Sequence, residues 1–139
     1  MVRWGVLSTA RIGLTSVAPA ILNASGAHLA AVASETEGRA AAWLGELSKS
    51  SGKNLDHVRI YDTYAGLLAD PEIDAVYIPL PNSLHSEWTI KAARAKKHVL
   101  CEKPAAIDAK QARHTIDLCR AEGVLFMEAF MYQFHPQYE

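Results

Sequence analysis

The chain has 139 residues, 50% apolar and 21% charged, with a net charge of −1. That is an ordinary globular composition for one domain, and it gives no electrostatic reason to expect nucleic acid or an anionic membrane as partner. No apolar run approaches the roughly 20 residues of a spanning helix, Met1-Val2-Arg3-Trp4 lacks a secretory pattern, and Cys101 and Cys119 show no metal-binding spacing, so a cytoplasmic protein with reduced cysteines and no metal is expected.

Strand and helix patterns alternate along the chain. Val2–Leu7 reads as a buried strand, and Arg11–Asn23 as a helix in which Pro19 starts a second piece. His28–Ala33 is the next strand. Thr36 is placed to N-cap a helix whose apolar face is Ala40, Trp43, Leu44 and Leu47. Lys49–Asn54 reads as a polar turn. Val58–Tyr61 is the third strand, with a short helix from Thr63 to Ala69 closed by Asp70-Pro71. Ala75–Ile78 is the fourth, followed by a helix from Ser83 to Ala95 with Leu84, Trp88, Ala92 and Ala95 inward. Val99–Cys101 is the fifth. Asp108 then caps a helix whose inward face reads Ala109, Ala112, Ile116 and Cys119, Gly123 ends it, and Val124–Met127 is the sixth strand. His28, His57, His98 and His114 show no mutual spacing for a site, and Asp62, Asp70 and Asp74 read as turn or cap residues.

Short apolar strands separated by amphipathic helices predict an α/β fold: a doubly wound, mainly parallel six-stranded Rossmann-type sheet with helices on both faces. Such sheets bind ligands beyond the C-terminal ends of their strands. Three loops and one lysine are placed there. In the first loop, a GxGxxG fingerprint appears as Ser8-x-Ala10-x-x-Gly13, with amides at the helix start able to cradle a pyrophosphate and the Ser8 and Thr9 hydroxyls able to add bonds. A strand-to-helix turn that merely needs small residues is the alternative. In the second, Glu35 lies 22 residues after Gly13, near the spacing of a ribose-binding carboxylate, which favours NAD. Ser34 and Arg39 can instead hold a 2′-phosphate, or Glu35 and Arg39 are solvated charges at a helix start. The third, Pro79-Leu80-Pro81-Asn82-Ser83-Leu84-His85, offers Asn82 as ligand contact or N-cap and His85 as a titratable ring or a plain surface residue.

The lysine is in Glu102-Lys103-Pro104, at the mouth of the fifth strand. An ammonium held where a buried strand opens into a loop can carry a lowered pKa and move protons near neutral pH. A structural lysine paired with Glu102 is the alternative.

The runs WGVLSTARIG, YIPLPNSLHSEW, VLCEKP and FMEAFMYQFHPQ resemble, in order and spacing over the whole chain, the glucose-fructose oxidoreductase, inositol dehydrogenase and MocA family. Within it they are most similar to the branch of D-xylose 1-dehydrogenase-like and dihydrodiol dehydrogenases. The resemblance implies an NAD- or NADP-dependent oxidoreductase that moves a hydride between nicotinamide and a sugar, polyol or dihydrodiol carbon. It implies Lys103 and His85 as catalytic residues. As cofactor contacts it implies Ser8, Thr9, Ala10, Arg11 and Ile12 at the pyrophosphate, Ser34 and Glu35, with Arg39 nearby, at the adenosine ribose, and Asn82 and His85, in the loop opened by Pro79 and Leu80, at the ribose and nicotinamide end, where Glu102 and Pro104 help position Lys103. Residues 1–128 would form the nucleotide-binding domain, and 129–139 the start of a connection to a C-terminal α+β substrate domain absent from this chain, through which the parent enzyme would form homo-oligomers. The chain alone would then bind dinucleotide without full catalysis. The family also holds a second possibility, a non-catalytic dinucleotide-binding regulator or sensor. Departures from the family pattern are Ser8 and Ala10 for glycines, Glu35 where NADP-using members carry arginine, and Gln133 where many relatives carry arginine.

Overall fold

Residues 1–138 are described by a computed structural model. The apolar runs form six strands: β1 (Val2–Leu7), β2 (Ala27–Ala33), β3 (Arg59–Tyr61), β4 (Ala75–Ile78), β5 (His98–Cys101) and β6 (Phe126–Glu128). They build one sheet in the order β3-β2-β1-β4-β5-β6, with every adjacent pair parallel. The chain first winds outward from β1 to β3, then returns to β4 on the other side of β1. That reversal opens a crevice outside the carboxyl ends of β1 and β4. Register sets Leu7 beside Ala33, Ile78 beside Cys101 and Cys101 beside Glu128, so these residues mark the rim where ligands of such sheets bind.

Side chains alternate between the faces. Val6, Leu29, Val32 and Tyr77 pack against α1 (Ala18–Asn23) and α2 (Arg39–Ser51) through Ala18, Ile21, Trp43, Leu44 and Leu47. Leu7, Ala31, Ala33, Val76, Ile78, Val99 and Cys101 form the opposite core with Leu67, Leu68 and Ala92, from α3 (Tyr64–Ala69) and α4 (Asn82–Arg94), beside α5 (Ala109–Ala121). Gly5 lets α3 approach β1: a Cβ there would sit 2.6 Å from Leu67 Cδ2.

Pro19 does start a second piece of helix, sitting in the first turn of α1. A π-helical turn, Gly13–Val17, runs directly into α1, with Ala18 N–H donating to the Gly13 carbonyl; the wider turn accommodates a proline that lacks an N–H. Other local expectations are corrected. Thr36 does not cap α2. Its carbonyl accepts from Arg39 N–H in a turn, and Gly38 at φ 73° takes the N-cap position in the left-handed region that glycine favours. Lys49, Ser50 and Ser51 are helical, since the left-handed cap is Gly52. Thr63 does cap α3, accepting from Gly66 N–H, and Asp108 caps α5, accepting from Gln111 N–H.

The inward faces of α4 and α5 are rotated from their apolar stripes. In α4, His85, Ser86, Thr89, Ala92 and Ala93 are buried, with Leu84, Trp88 and Ala95 flanking. In α5, Thr115 and Cys119 are buried, whereas Ala109 and Ile116 are exposed. The two helices meet through a Ser86–Thr115 hydroxyl bond of 2.6 Å, and a satisfied polar pair is tolerated where an apolar one was expected.

At the opposite rim, Asp74 accepts from Arg3 N–H and from its guanidinium at 2.8 to 3.0 Å. Lys97, 6% exposed, donates to the carbonyls of Asp70 and Ile73. His28 and His57, expected to be unrelated, stack with ring centroids 5.0 Å apart. Residues Met131–Phe134 and Pro136–Tyr138 form short 3-10 turns; the segment expected to lead onward includes Glu139, which lies outside the described residues. Among the described residues no helix is long and apolar enough to cross a membrane, and no group of three or more His, Cys, Asp or Glu could hold a metal.

Candidate cofactor and proton-transfer site

The loop after β1 places backbone amides at a helix start. Ser8 sits at φ 125°, a conformation that glycine favours, and its hydroxyl repays the substitution. Oγ donates to the Pro79 carbonyl at 3.1 Å and accepts from Ala10 N–H at 3.2 Å, tying the β1 and β4 loops together. Ser8 is 8% exposed, so the expected hydroxyl contact with a ligand is corrected: the group is used inside the loop. Among the described residues the amides of Thr9, Arg11 and Ile12 have no acceptor. Unpaired N–H groups at a helix start suit a phosphate. Thr9, Ala10, Arg11, Arg39, Trp43 and Glu46 line the adjoining crevice of 640 Å³. Gly13 is buried against Trp43, Tyr77 and Pro79.

The second loop differs from its expected geometry. Ser34 is buried and its Oγ accepts from Thr36 N–H. Glu35 Oε1 accepts from Tyr64 N–H, the first amide of α3, at 2.9 Å. The sequence spacing was met, but the carboxylate satisfies a helix N-terminus, which attracts negative charge. Oε1 is thus engaged at α3 while Glu35 itself stays exposed. Arg39 is exposed on the crevice shared with Arg11.

In the third loop Pro79 and Leu80 are buried and contribute carbonyls to the interior. Asn82 is exposed and is the first residue of α4 behind Pro81, so the N-cap reading is corrected. His85 is fully buried, neither surface residue nor open ring. Its Nδ1 lies 2.7 Å from the Pro104 carbonyl oxygen and its Nε2 2.6 Å from that of Leu80. Both nitrogens face carbonyl oxygens, so a neutral ring donates to one of them, the tautomer deciding which, and His85 sits as a spacer between the β4 and β5 loops.

Lys103 lies just past β5 and is exposed. Among the described residues its ammonium has no hydrogen-bond or ion-pair partner. Pairing with Glu102 is not what is seen: Glu102 Oε1 accepts from the Tyr77 hydroxyl at 2.8 Å, and Oε2 from Lys103 N–H at 3.3 Å. Tyr77 has its pKa raised by burial and by the neighbouring Glu102 carboxylate, so its hydroxyl stays a donor. Glu128, ending β6, accepts from Ala105 N–H at 2.7 Å. The Lys103–Pro104 peptide is cis. Burial pushes the Cys101 thiol up to about 12, which fits an inert core cysteine.

Ile12 and Glu102 line a common apolar groove of 330 Å³ with Leu100, Met127, Phe130 and Phe134. Arg11 and Ile12 therefore join two spaces, the charged crevice beside Arg39 and the apolar groove beside the lysine loop. The sequence reading missed Tyr77, Glu128 and this groove. The aromatic tail was a partial signal, as Phe130 and Phe134 line the groove, but the hydroxyl of a strand tyrosine carries no periodic signature.

A family model described as "Oxidoreductase family, NAD-binding Rossmann fold" matches residues 2–130. The chain is 47% identical over 133 residues to a D-xylose 1-dehydrogenase (NADP(+)) of Haloferax volcanii, covering 96% of this chain and 38% of the relative. It is 33% identical to a trans-1,2-dihydrobenzene-1,2-diol dehydrogenase of Xenopus laevis, covering 99% of this chain and 39% of that one. A solved 3-ketoreductase from Actinomadura kijaniata, in complex with TDP-benzene and NADP, superposes with a TM-score of 0.87 at 36% identity, covering 99% of this chain and 39% of its own. The chain thus spans only 38% and 39% of the length of the first two curated relatives it matches.

Proposed function

The chain belongs to the Gfo/Idh/MocA oxidoreductase family, whose model covers residues 2–130, and on that premise we propose that it forms the nucleotide-binding half of an NADP-dependent dehydrogenase or reductase acting on a sugar, polyol or dihydrodiol. The supporting observation is the junction at Arg11–Ile12, where a phosphate-ready helix start borders both the arginine crevice and the groove of Glu102. The amides of Thr9, Arg11 and Ile12 would hold the pyrophosphate. Arg11 and Arg39 would receive a 2′-phosphate, since guanidinium groups suit phosphate geometry and Glu35 is engaged at α3. Asn82 and Lys103 stand exposed at the same rim. When bound, the nicotinamide supplies or accepts the hydride. Lys103 would hold the substrate hydroxyl and carry its proton, worth roughly 10²–10⁴-fold in rate. Residues 1–128 would be the nucleotide-binding unit, and the segment beyond them would lead to the domain that completes the substrate pocket and the oligomer interface.

Fluorescence titration with NADPH and NADH tests this reading. The expected result is binding of both, NADPH the tighter, with Lys103→Met leaving affinity unchanged. Absence of binding by either nucleotide refutes the nucleotide site, and tighter NADH binding refutes the role given to Arg39.

A further inference from the structure

Each residue from Glu102 to Ala105 is fastened, yet the Lys103 side chain is left out of the fastening. Glu102 N–H donates to the Ile78 carbonyl and its carboxylate accepts from Tyr77. Lys103 N–H donates to that same carboxylate. The Pro104 carbonyl meets His85 Nδ1, and Ala105 N–H donates to Glu128. These contacts come from β4, α4 and β6, so the loop is braced from three elements.

Two features of the bracing exceed what packing requires. Tyr77 lies in the central strand and is fully buried. A phenylalanine would fill the same core without the cost of burying a hydroxyl, but only the hydroxyl reaches Glu102. Glu102 and Glu128 are carboxylates beside the loop, and among the described residues neither forms an ion pair. Each accepts from neutral donors, Glu102 from the Tyr77 hydroxyl and Lys103 N–H and Glu128 from Ala105 N–H, so the backbone is held on both sides of the Lys103–Pro104 pair. Preorganised groups whose own partners lock them are what a precisely held reactive side chain requires.

We infer that Tyr77 and Glu128 are positioning residues for Lys103: Tyr77 acts through Glu102 and Glu128 through Ala105, and together they fix where the lysine meets a bound nucleotide and substrate. The inference rests on the nucleotide-binding reading above, and its test separates the two.

The 139-residue chain is reductively methylated with ¹³C-formaldehyde, and the Lys103 signal is assigned by its absence from Lys103→Arg. NADPH is then added to the unsubstituted chain, Tyr77→Phe, Glu128→Ala and Glu128→Gln. The unsubstituted chain should bind NADPH with a shift of the Lys103 signal. Tyr77→Phe and Glu128→Ala should bind with an unchanged dissociation constant but lose that shift, and Glu128→Gln, which keeps an acceptor oxygen for Ala105, should recover it. A purely structural role would lower the melting temperature and leave the Lys103 shift intact, and that result overturns the inference. If Tyr77→Phe does not fold, the Ala and Gln variants of Glu128 decide alone. If the unsubstituted chain binds no nucleotide, the proposed function falls and the nucleotide-free signal decides: movement of it by Tyr77→Phe or Glu128→Ala supports positioning, and an unmoved signal refutes it.

Discussion

Replacing Glu35 by alanine separates two roles that one carboxylate could fill. In the structure Oε1 accepts from Tyr64 N–H at 2.9 Å, at the start of a six-residue helix. Losing an N-terminal acceptor costs about 0.5–2 kcal/mol, and a carboxylate at a helix N-terminus adds about 0.3–1 kcal/mol. The contact is exposed, so water can replace part of it, and Thr63 keeps its own bond to Gly66 N–H. The lower end applies, about 1 kcal/mol, which for a domain of this size moves the melting temperature by about 4 °C. Calorimetry of Glu35→Ala should show that fall, while the NADH dissociation constant stays near its unsubstituted value. Were Glu35 a ribose ligand, losing a charged hydrogen bond would cost about 1.5–3 kcal/mol of binding, or about 10- to 150-fold in affinity. An NADH affinity lowered tenfold or more, with the melting temperature unmoved, would refute the assignment of Glu35 to α3.

Two further outcomes follow from contacts at either rim. Hydrogen bonds from the Arg3 side chain and amide hold the Asp74 carboxyl at about 2, against an ordinary 3.8. Its stabilisation is therefore fully present above pH 3.8 and is lost as pH falls through about 2. The melting temperature should fall more steeply across that window in the unsubstituted chain than in Asp74→Asn, and equal slopes would count against the pairing. His85→Ala removes the ring that donates to one of the carbonyls of Leu80 and Pro104 and fills the space between them. At about 1–3 kcal/mol for an unsatisfied group, urea denaturation should show a loss of about 2 kcal/mol, with faster amide exchange at Leu80, Asn82, Lys103 and Ala105; a stability change within about 0.5 kcal/mol, as for an ordinary surface substitution, would show that His85 does not clamp the loops.

Local patterns decided much of the fold. Apolar runs such as Ala75–Ile78 can lie only in a sheet covered on both faces, so their alternation with helices made the doubly wound order legible before any contact was known. The position of Lys103 at a strand mouth was legible for the same reason. Its surroundings were not. His85 looked like a titratable group near the crevice, but the partners of its two nitrogens, Leu80 and Pro104, lie 5 and 19 residues away, and no local signal couples them. Glu35 had the spacing of a ribose ligand, yet Tyr64, 29 residues on, claimed its carboxylate. Ser86 and Thr115 likewise rotated two helix faces away from their apolar stripes through one contact across 29 residues. By itself, then, the sequence determined what periodicity and small residues encode: six strands, the helices between them, and a phosphate-ready turn at the first strand's end. Tertiary structure alone decided which polar groups stay open at the rim and which are used internally, because a hydrogen bond between distant elements depends on where the whole sheet brings them, and a buried donor or acceptor takes whichever partner arrives.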